Sequence, residues 1–326
     1  MYRKKSICVV VPAYNEEQLI GQVIDTMPEF VDCIVVVEDC GSDRTVDIVQ
    51  AYADKPGSRV HLIRHAENKG VGGAIVTGYA YARDKRYDVT VVMAGDAQMD
   101  PGDLPAICDP VIDGRADYSK GNRLFTGEAW QKIPKMRYLG NSALSLMTKI
   151  ASGYWNVADS QTGYTAASLE VLTTLRLEDV FPRYGMPNDL LVRLNIYDFR
   201  VQDVPIKPIY GIGEQSGIRY IPAVPRLSCL LLKLFLWRLK EKYIIRDFHP
   251  LIFFYAMALV CIPVGFCLGL YLLSYRIFTG PVEPTGPIFA AFLFISGFQS
   301  SFFAMWFDME HNRRIERTQR SITPID

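Results

Sequence analysis

Two long stretches near the carboxyl end of the chain contain no charged side chain. Residues 251–275 form a stretch of 25 residues, and residues 286–307 form one of 22. A helix of about 20 apolar residues crosses the hydrocarbon core of a bilayer, which is about 30 Å thick. A buried hairpin of soluble core helices is the alternative, but such helices seldom run so long without a charge. The sequence therefore predicts a two-helix transmembrane hairpin within residues 250–308.

Basic residues flank this hairpin on both sides, whereas the link between the two stretches has one Arg and one Glu. The flanking basic residues are Lys233, Arg238, Lys240, Lys242 and Arg246 before the hairpin and Arg313, Arg314, Arg317 and Arg320 after it. Loops rich in Lys and Arg stay on the cytoplasmic side of a membrane. We therefore expect an integral membrane protein with both termini, including the basic tail 309–326, in the cytoplasm.

The segment 225–249, which precedes the hairpin, has one basic and one apolar face when drawn as a helix. Arg226, Lys233 and Lys240 recur every seven residues between leucine, phenylalanine and tryptophan side chains. Such a pattern suits a helix lying in the headgroup layer, where it contacts membrane lipids. An amphipathic helix packed on the preceding domain is the alternative, and one helix can do both.

Residues 1–224 alternate short apolar runs with helical stretches. The strand candidates are 7–11, 33–37, 60–63 and 89–93, and the helical stretches are 17–27, 44–53 and 72–83. Alternation of strand and helix predicts an α/β domain with a mainly parallel sheet and right-handed crossovers. Functional loops of such a sheet lie at the carboxyl ends of its strands.

Charge and cysteine content exclude several classes of protein. The 35 basic and 35 acidic side chains give zero net charge, which argues against a nucleic-acid partner. The seven cysteines are scattered and form no C-x-x-C pair, so we expect neither a zinc site nor a disulfide framework.

Each of the four strand candidates is followed by a loop that carries acids, amides or glycines. These loops are 12–17, 38–45, 67–73 and 94–101. A single loop of this kind is an ordinary turn or helix cap, but four on one edge are hard to explain by capping alone. Gly70 and Gly72 lack the third glycine of a dinucleotide fingerprint and follow the third strand, which disfavours a Rossmann dehydrogenase. A smaller ligand with a nucleoside and phosphates fits better.

The ordered set of motifs resembles glycosyltransferase family 2. The matching segments are Val-Pro-Ala-Tyr-Asn-Glu-Glu at 11–17, Glu-Asp at 38–39, Ser-Asp-Arg-Thr at 42–45, Asn-Lys-Gly at 68–70, Asp-Ala-Gln at 96–98 and Asp-Pro at 100–101. The resemblance implies a GT-A nucleotide-sugar-binding domain over 1–224. With the hairpin, the chain resembles the membrane-anchored polyprenyl-phosphate (dolichyl- or undecaprenyl-phosphate) glycosyltransferases, whose catalytic domain we expect in the cytoplasm.

The resemblance also implies which residues bind the donor. The implied donor-binding residues are Pro12, Tyr14, Glu16, Asp39, Asn68, Lys69, Gly70, Asp96, Ala97 and Gln98. Asp96 and Gln98 stand in the family's Asp-x-Asp-x-Gln metal motif, whose first position is Ala94 in this chain. The resemblance implies Mg²⁺ or Mn²⁺ at this motif, since either ion prefers oxygen ligands and neutralises a leaving diphosphate.

A second group of residues is implied on the acceptor side. Arg123 and Arg137 correspond to contacts with a phosphate, and Ser216 and Arg219 lie in a loop that resembles the family's loop before the membrane segment. Asp159 stands where the family carries its acceptor-side acid, and it is a candidate base for an inverting displacement. A phosphate nucleophile is already largely dianionic at pH 7, so a positioning role for Asp159 is the alternative. Asp159, Asp96 and Arg123 are the expected catalytic residues.

The predicted activity is transfer of one sugar from a nucleotide sugar to a polyprenyl phosphate. The altered metal motif departs from that of the mannose synthases and favours UDP-glucose or UDP-N-acetylglucosamine as the donor. The alternatives are transfer to another lipid and a catalytically inactive nucleotide-sugar-binding subunit. The chain lacks the Gln-x-x-Arg-Trp motif of the processive polymer synthases. Small residues in the two spans offer faces for homo-oligomers.

Overall fold

A computed structural model describes residues 1–124, 135–207, 209 and 220–320, with the side chains of 135–139, 141, 220–224 and 314–320 left undescribed. The chain forms two compact units, of which one contains Met1–Phe235 and the other Leu236–Gln319. The predicted domain boundary at 224–225 falls inside a continuous helix, Tyr220–Lys240, and so remains a prediction.

The described part of the first unit contains a seven-stranded sheet. Its strands are β1 (Ile7–Ala13), β2 (Cys33–Glu38), β3 (Val60–Arg64), β4 (Val89–Val92), β5 (Tyr118–Asn122), β6 (Thr165–Ser168) and β7 (Val201–Pro205). They lie in the order β3-β2-β1-β4-β6-β5-β7. Strand β6 is antiparallel to β4 and β5, and the other pairings are parallel. The prediction of an α/β domain with a mainly parallel sheet is confirmed.

Helices cover both faces of the sheet. They are α1 (Ile20–Asp25), α2 (Thr45–Ala53), α3 (Val71–Asp84), α4 (Leu104–Ile112), α5 (Lys135–Ser152), α6 (Leu169–Thr174) and α7 (Met186–Ile196). Alternate residues of β1 enter two different cores: Val9 packs with the residues on one face, and Val10 packs with those on the other. Strands buried on both faces are typically near-continuous apolar runs, and this explains the Ile-Cys-Val-Val-Val run at the start of β1.

The reversal of β6 brings the loop before it to the same edge as the other functional loops. The carboxyl ends of the parallel strands β1, β2, β3, β4, β5 and β7 share one edge, and the amino end of β6 lies at that edge too. Residues 159–164 therefore arrive where the loops after β1 and β4 also lie. The strand order reverses between β1 and β4, which is where α/β sheets bind ligands.

Helix α8 (Tyr220–Lys240) begins in the first unit, and its last five residues belong to the second. It is continued by a π-helical turn, Glu241–Arg246, and is followed by α9 (Leu251–Phe278) and α10 (Thr285–Arg320). Two candidate membrane spans, Leu251–Phe278 and Thr285–Arg313, are long and apolar enough to cross a bilayer. Only 22% of each most apolar window is buried, unlike the mostly buried core helices of the alternative reading. The predicted stretches 251–275 and 286–307 are helical throughout.

Two glycines allow α9 and α10 to approach each other closely. A Cβ on Gly265 would lie 2.8 Å from the backbone N of Phe294, and one on Gly297 would lie 2.9 Å from the backbone N of Ile262. No described atom lies within 4 Å of the corresponding position at Gly269. Part of the small-residue surface expected to support homo-oligomers is therefore used inside the hairpin, and the oligomeric state remains a prediction.

A buried polar cluster joins α8, the π-helical turn and α10. The Arg238 guanidinium donates two hydrogen bonds of 2.9 Å to the Asp308 carboxylate, and both side chains are fully buried. The Tyr243 hydroxyl donates to the same carboxylate, and Lys242 donates to the Asn312 side chain at 3.1 Å. Sequence analysis placed Arg238 and Lys242 among the charges flanking the membrane, but both are buried. The other basic residues of α8, which are Arg226, Lys233 and Lys240, are exposed.

Candidate active site

Asp39, at the end of β2, holds the glycine-containing loop that follows β3. Its carboxylate accepts hydrogen bonds from the backbone N–H groups of Lys69 at 2.8 Å and Gly70 at 2.7 Å. His65 Nδ1 lies 2.7 Å from the same carboxylate, and the Asn68 side chain donates to the Asp39 carbonyl at 3.1 Å. Asp39 therefore shapes the expected donor loop, and a contact of its carboxylate with a nucleobase remains a prediction.

The loop's glycines allow a second backbone to pass close by. Gly70 has a φ of +83°, which disfavours any residue with a Cβ. A Cβ there would also lie 2.8 Å from the carbonyl oxygen of Pro182, and a Cβ on Gly72 would lie 2.6 Å from that of Phe181. Gly73 N–H donates to the Pro182 carbonyl at 3.0 Å. These glycines are thus explained by packing against residues 181–183.

The loops after β1 and β2 bind each other through capping side chains. Asp43 accepts from the N–H of Thr45 at 3.0 Å, at the start of α2, and from the N–H of Glu17 at 2.9 Å. Glu16 N–H donates to the Thr45 hydroxyl at 2.8 Å. The Asp43 carboxylate thus binds the first residue of α2, next to the N-cap residue Arg44, and it also fixes the position of the loop after β1. The side chain of Tyr14, which lies in the loop after β1, is exposed.

Three oxygen-bearing side chains lie around the turn after β4. Asp96 accepts from the N–H of Gln98 at 3.1 Å, across Ala97, whose φ is +56°. Glu16 lies next to this turn, because a Cβ on Gly95 would be 3.5 Å from its Cγ. Burial, together with the nearby charges of Asp96 and Asp43, raises the pKa of Glu16 to about 7. The effect of Asp96 and Asp43 on the pKa of Glu16 indicates that these three carboxylates lie close to one another at this turn.

This donor set fits a hard divalent cation. Mg²⁺ and Mn²⁺ prefer oxygen ligands and often keep several waters or substrate phosphates in their coordination sphere. Asp96, Gln98 and Glu16 offer carboxylate and amide oxygens, while Ala94 has no side-chain donor. Among the described residues no group of three His, Cys, Asp or Glu side chains could hold a metal ion, so the remaining ligands would come from a diphosphate and water.

Arg123 and Asp159 form a bidentate ion pair on the acceptor side. Arg123 Nε lies 2.7 Å from Asp159 Oδ2, and Nη2 lies 3.2 Å from Oδ1. The N–H of Gln161 also donates to Asp159, at 3.1 Å. Burial alone would raise the pKa of Asp159, but the Arg123 charge and these hydrogen bonds hold that pKa below its ordinary value. A carboxylate with a low pKa and occupied oxygens is a poor proton acceptor, which favours the positioning role.

Sequence analysis missed three polar residues near this pair, of which Lys120 and Asn188 are buried and Asp203 is half-buried. Lys120 Nζ donates to the Thr162 carbonyl, and burial lowers the pKa of Lys120 to about 8 against the opposing charges of Asp159 and Asp203. Burial raises the pKa of Asp203 to about 6. Asn188 is fully buried, and its side-chain oxygen accepts from Thr148 and Gln161 at 2.9 Å each. No local sequence signal marks these residues, because their burial and their partners arise only from the fold.

Three expected acceptor-side residues cannot be placed at the site. Ser216 and Arg219 lie outside the described residues, and Arg137 belongs to α5 but its side chain is not described. The predictions for these three stay predictions.

Pro12, whose carbonyl accepts from the N–H of Gly95 at 3.3 Å, joins the loops after β1 and β4.

The family model for glycosyl transferase family 2 matches residues 8–175, which is more than half of the chain. The chain belongs to glycosyltransferase family 2. The family 2 segment runs from β1 to α6 and contains all of the site residues described above up to Asp159 and Gln161. Lys120 lies inside it too, whereas Asn188 and Asp203 lie beyond its end.

Two curated relatives cover most of the family 2 domain. The UDP-N-acetylglucosamine–dolichyl-phosphate N-acetylglucosaminyltransferase of Methanococcus voltae is 31% identical over 63% of this chain and 86% of its own length. The undecaprenyl-phosphate mannosyltransferase of Micrococcus luteus is 30% identical over 65% of this chain and 88% of its own length. The predicted resemblance to polyprenyl-phosphate glycosyltransferases is confirmed.

A solved structure confirms the GT-A fold. Glucosyl-3-phosphoglycerate synthase from Mycobacterium tuberculosis, in complex with Mn²⁺, UDP-glucose and phosphoglyceric acid, aligns with a TM-score of 0.52. The two chains are 22% identical, and the alignment covers 72% of this chain and 80% of the synthase. At this identity the likeness bears on the fold alone.

Proposed function

We propose that this protein transfers one sugar, with inversion, from a nucleotide sugar to a polyprenyl phosphate at the cytoplasmic face of a membrane. The observation that carries the proposal is the meeting of the donor loops and the Arg123–Asp159 pair at one sheet edge, in a chain with two candidate membrane spans. The two relatives named above act on dolichyl phosphate and undecaprenyl phosphate, and this supports a lipid phosphate as the acceptor.

The donor we propose is UDP-N-acetylglucosamine, with UDP-glucose second. The Methanococcus voltae relative uses UDP-N-acetylglucosamine, as its name says. The Micrococcus luteus relative is a mannosyltransferase of almost equal sequence identity to this chain. Sequence identity to these relatives therefore does not distinguish between the two donors. The Ala94 position, which departs from the mannose synthases, favours a UDP-sugar.

Asp96, Gln98 and Glu16 would hold Mg²⁺ or Mn²⁺ together with the donor diphosphate. Such a cation, when bound, neutralises charge that builds up on the departing diphosphate. Its ligands here are oxygen atoms, which suit either ion.

The acceptor needs little help from a general base. A phosphate monoester has a second pKa near 6, so it is mostly dianionic at pH 7 and its oxygen can attack the anomeric carbon directly. The bond from that carbon to the diphosphate oxygen breaks as the new bond forms on the opposite face, which inverts the configuration. Arg123 would bind the acceptor phosphate with its planar guanidinium, and Asp159 would hold that guanidinium in place.

A transfer assay on the full chain purified in detergent tests the proposal. Undecaprenyl phosphate and dolichyl phosphate are each offered UDP-N-acetylglucosamine, UDP-glucose and GDP-mannose, with Mn²⁺, with Mg²⁺ or with EDTA. We expect an extractable lipid-linked sugar that EDTA abolishes and Asp96→Asn greatly reduces. Asp113→Asn, a surface change in an exposed ion pair with Arg115, is the matched control and should keep activity.

Two outcomes would overturn the proposal. Product formed on diacylglycerol but not on either polyprenyl phosphate would assign another lipid acceptor. Nucleotide-sugar binding without product on any lipid would assign an inactive binding subunit.

A further inference from the structure

Asp203 of β7 contacts the two chain segments that deliver the Arg123–Asp159 pair. Its Oδ2 atom accepts a hydrogen bond of 3.0 Å from the Asn122 side chain and one of 2.7 Å from the N–H of Ala158. Asn122 and Ala158 each immediately precede one member of the pair. One carboxylate oxygen therefore ties together two segments that are 36 residues apart in the sequence.

The surroundings of Asp203 fix this contact. Strand β7 pairs in parallel with β5, and Asp203 lies opposite Lys120 in that register. Asn122 is almost fully buried and also accepts from the N–H of Leu124 at 2.9 Å, which shapes the turn that carries Arg123. The loop before Ala158 is tied to β7 as well, because the Asn156 side chain donates to the Val201 carbonyl at 3.0 Å.

The other oxygen of the Asp203 carboxylate, Oδ1, takes no part in this contact. Asp203 Oδ1 is buried and has no hydrogen-bond partner among the described residues. The contact with Asn122 and Ala158 thus needs one acceptor oxygen and not two. An asparagine side chain can supply that oxygen in nearly the same shape, and a leucine cannot.

We propose that Asp203 is a positioning residue of the transfer site, which aligns Arg123 and Asp159 by accepting hydrogen bonds from their neighbours through Oδ2. This inference rests on the proposed function, since it assigns Asp203 to alignment of the acceptor phosphate. Asp203 does not touch the reacting atoms. Small displacements of positioning groups can cost large factors in rate, so loss of the contact should affect transfer and leave the donor loops intact.

The test compares Asp203→Leu with Asp203→Asn. We expect Asp203→Leu to lower kcat/KM for the lipid acceptor roughly tenfold to a hundredfold, with UDP binding unchanged. Asp203→Asn should keep activity close to that of the unmodified protein, because its oxygen still accepts both hydrogen bonds. In an Arg123→Lys background, Asp203→Leu should add little further loss, since residues acting as one unit are not additive.

Asp117 provides a matched control at the opposite end of the same strand pair. Its carboxylate accepts from the N–H of Arg200 at 2.7 Å and from the Arg200 guanidinium at 2.8 Å. Asp117→Leu should lower the unfolding midpoint at least as much as Asp203→Leu and still transfer sugar. Equal loss of transfer in both variants would reduce Asp203 to a merely structural residue and overturn the proposal, as would wild-type transfer by Asp203→Leu.

Hydrogen exchange of the peptide that contains Ala158 separates this inference from the proposed function. Exchange there should rise in Asp203→Leu and stay protected in Asp203→Asn, whether or not the lipid substrate is correct. Unchanged exchange in Asp203→Leu would overturn the positioning role. Absence of any lipid product with the unmodified protein would instead overturn the proposed function and leave the exchange result interpretable.

Discussion

The Arg123 guanidinium is held on one side by Asp159 while 22% of its side chain stays exposed. A guanidinium carries five N–H donors in one plane, so one that is oriented by a carboxylate approaches a second anion at a defined angle. A lysine in its place would keep the charge but lose the planar fork. The shape of the side chain, and not the charge alone, is therefore expected to matter.

Arg123→Lys tests this expectation. Because a lysine cannot bind Asp159 and a phosphate in the same fixed geometry, we expect kcat/KM for the lipid phosphate to fall about tenfold or more. Steady-state kinetics with varied acceptor and saturating donor measure the change. Arg115→Lys, at an exposed arginine paired with Asp113, is the control. Undiminished acceptor kinetics in Arg123→Lys would contradict the assigned role.

Gly70→Ala and Gly114→Ala compare two glycines of positive φ in different surroundings. A Cβ at Gly114, where φ is +65°, meets no described atom within 4 Å, whereas at Gly70 it meets the Pro182 carbonyl oxygen at 2.8 Å. Gly114→Ala should cost about 1 kcal/mol of unfolding free energy from backbone strain alone. Gly70→Ala should cost clearly more, because this clash adds to a backbone conformation, φ 83° and ψ 166°, that is open essentially only to glycine. Chemical unfolding of the two variants measures the difference, and equal losses would contradict the constraints assigned to Gly70.

The site residues that could be predicted from sequence are those whose motifs are local. Asp96 and Gln98 lie two residues apart, and their turn is recognisable without any long-range contact. Asp39 was also predicted, but its hydrogen bonds to Lys69 and Gly70 depend on how β2 and β3 pair. Asp203 was missed, because its importance comes from partners 81 and 45 residues away.

At the scale of elements, the second unit depends on one fully buried ion pair between α8 and α10. Burying two charges costs about as much as their attraction returns, so such a pair contributes more to a defined geometry than to stability. Removal of one partner is a different matter, because the other charge is then buried without compensation. The Arg238–Asp308 pair therefore predicts a strong difference between single and double substitutions.

Asp308→Leu alone should lower the free energy of unfolding by about 3–5 kcal/mol. The double variant Arg238→Leu/Asp308→Leu should be less destabilised, because no unpaired charge remains. Thermal unfolding of the full chain in detergent compares the variants. The exposed pair Arg246–Glu241, at 3.7 Å, is the control: Glu241→Gln should cost less than about 1 kcal/mol. A double variant no better than Asp308→Leu would refute the compensation argument.

Strands β5, β6 and β7 were not predicted, for a physical reason. The pattern used to find strands is a run of apolar residues, and β5 reads Tyr-Ser-Lys-Gly-Asn although all five residues are buried. Its polar side chains are satisfied by partners from elsewhere, such as the Ile107 carbonyl that accepts from Ser119. Strands β1 to β4 consist mainly of apolar residues, so the search for apolar runs predicted them correctly.

At the scale of the whole molecule, the proposed membrane topology rests on the distribution of basic residues and can be tested directly. The proposed orientation puts the link between α9 and α10 on the side of the membrane opposite to the transferase domain. In a variant without exposed native cysteines, Glu283→Cys should react with an impermeant thiol reagent only from the non-cytoplasmic side. Arg86→Cys, in the first unit, should react only from the cytoplasmic side. Labelling of both cysteines from the same side would contradict the predicted hairpin.

The sheet also sets how substrate preference can change in proteins of this design. Hydrogen bonds of Asp39, Asp43 and Pro12 connect the loops of β1 to β4, and those of Asp203 connect the segments around β5 to β7. The two halves meet where β4 pairs with β6, whose residues Thr-Ala-Ala-Ser are all small. A recombination breakpoint in α4 would exchange one half while breaking few of these bonds. The hydrogen bond from Gly73 to the Pro182 carbonyl is a second contact between the halves. We therefore predict that donor and acceptor preference are transferred with their respective halves in a chimaera that keeps both contacts.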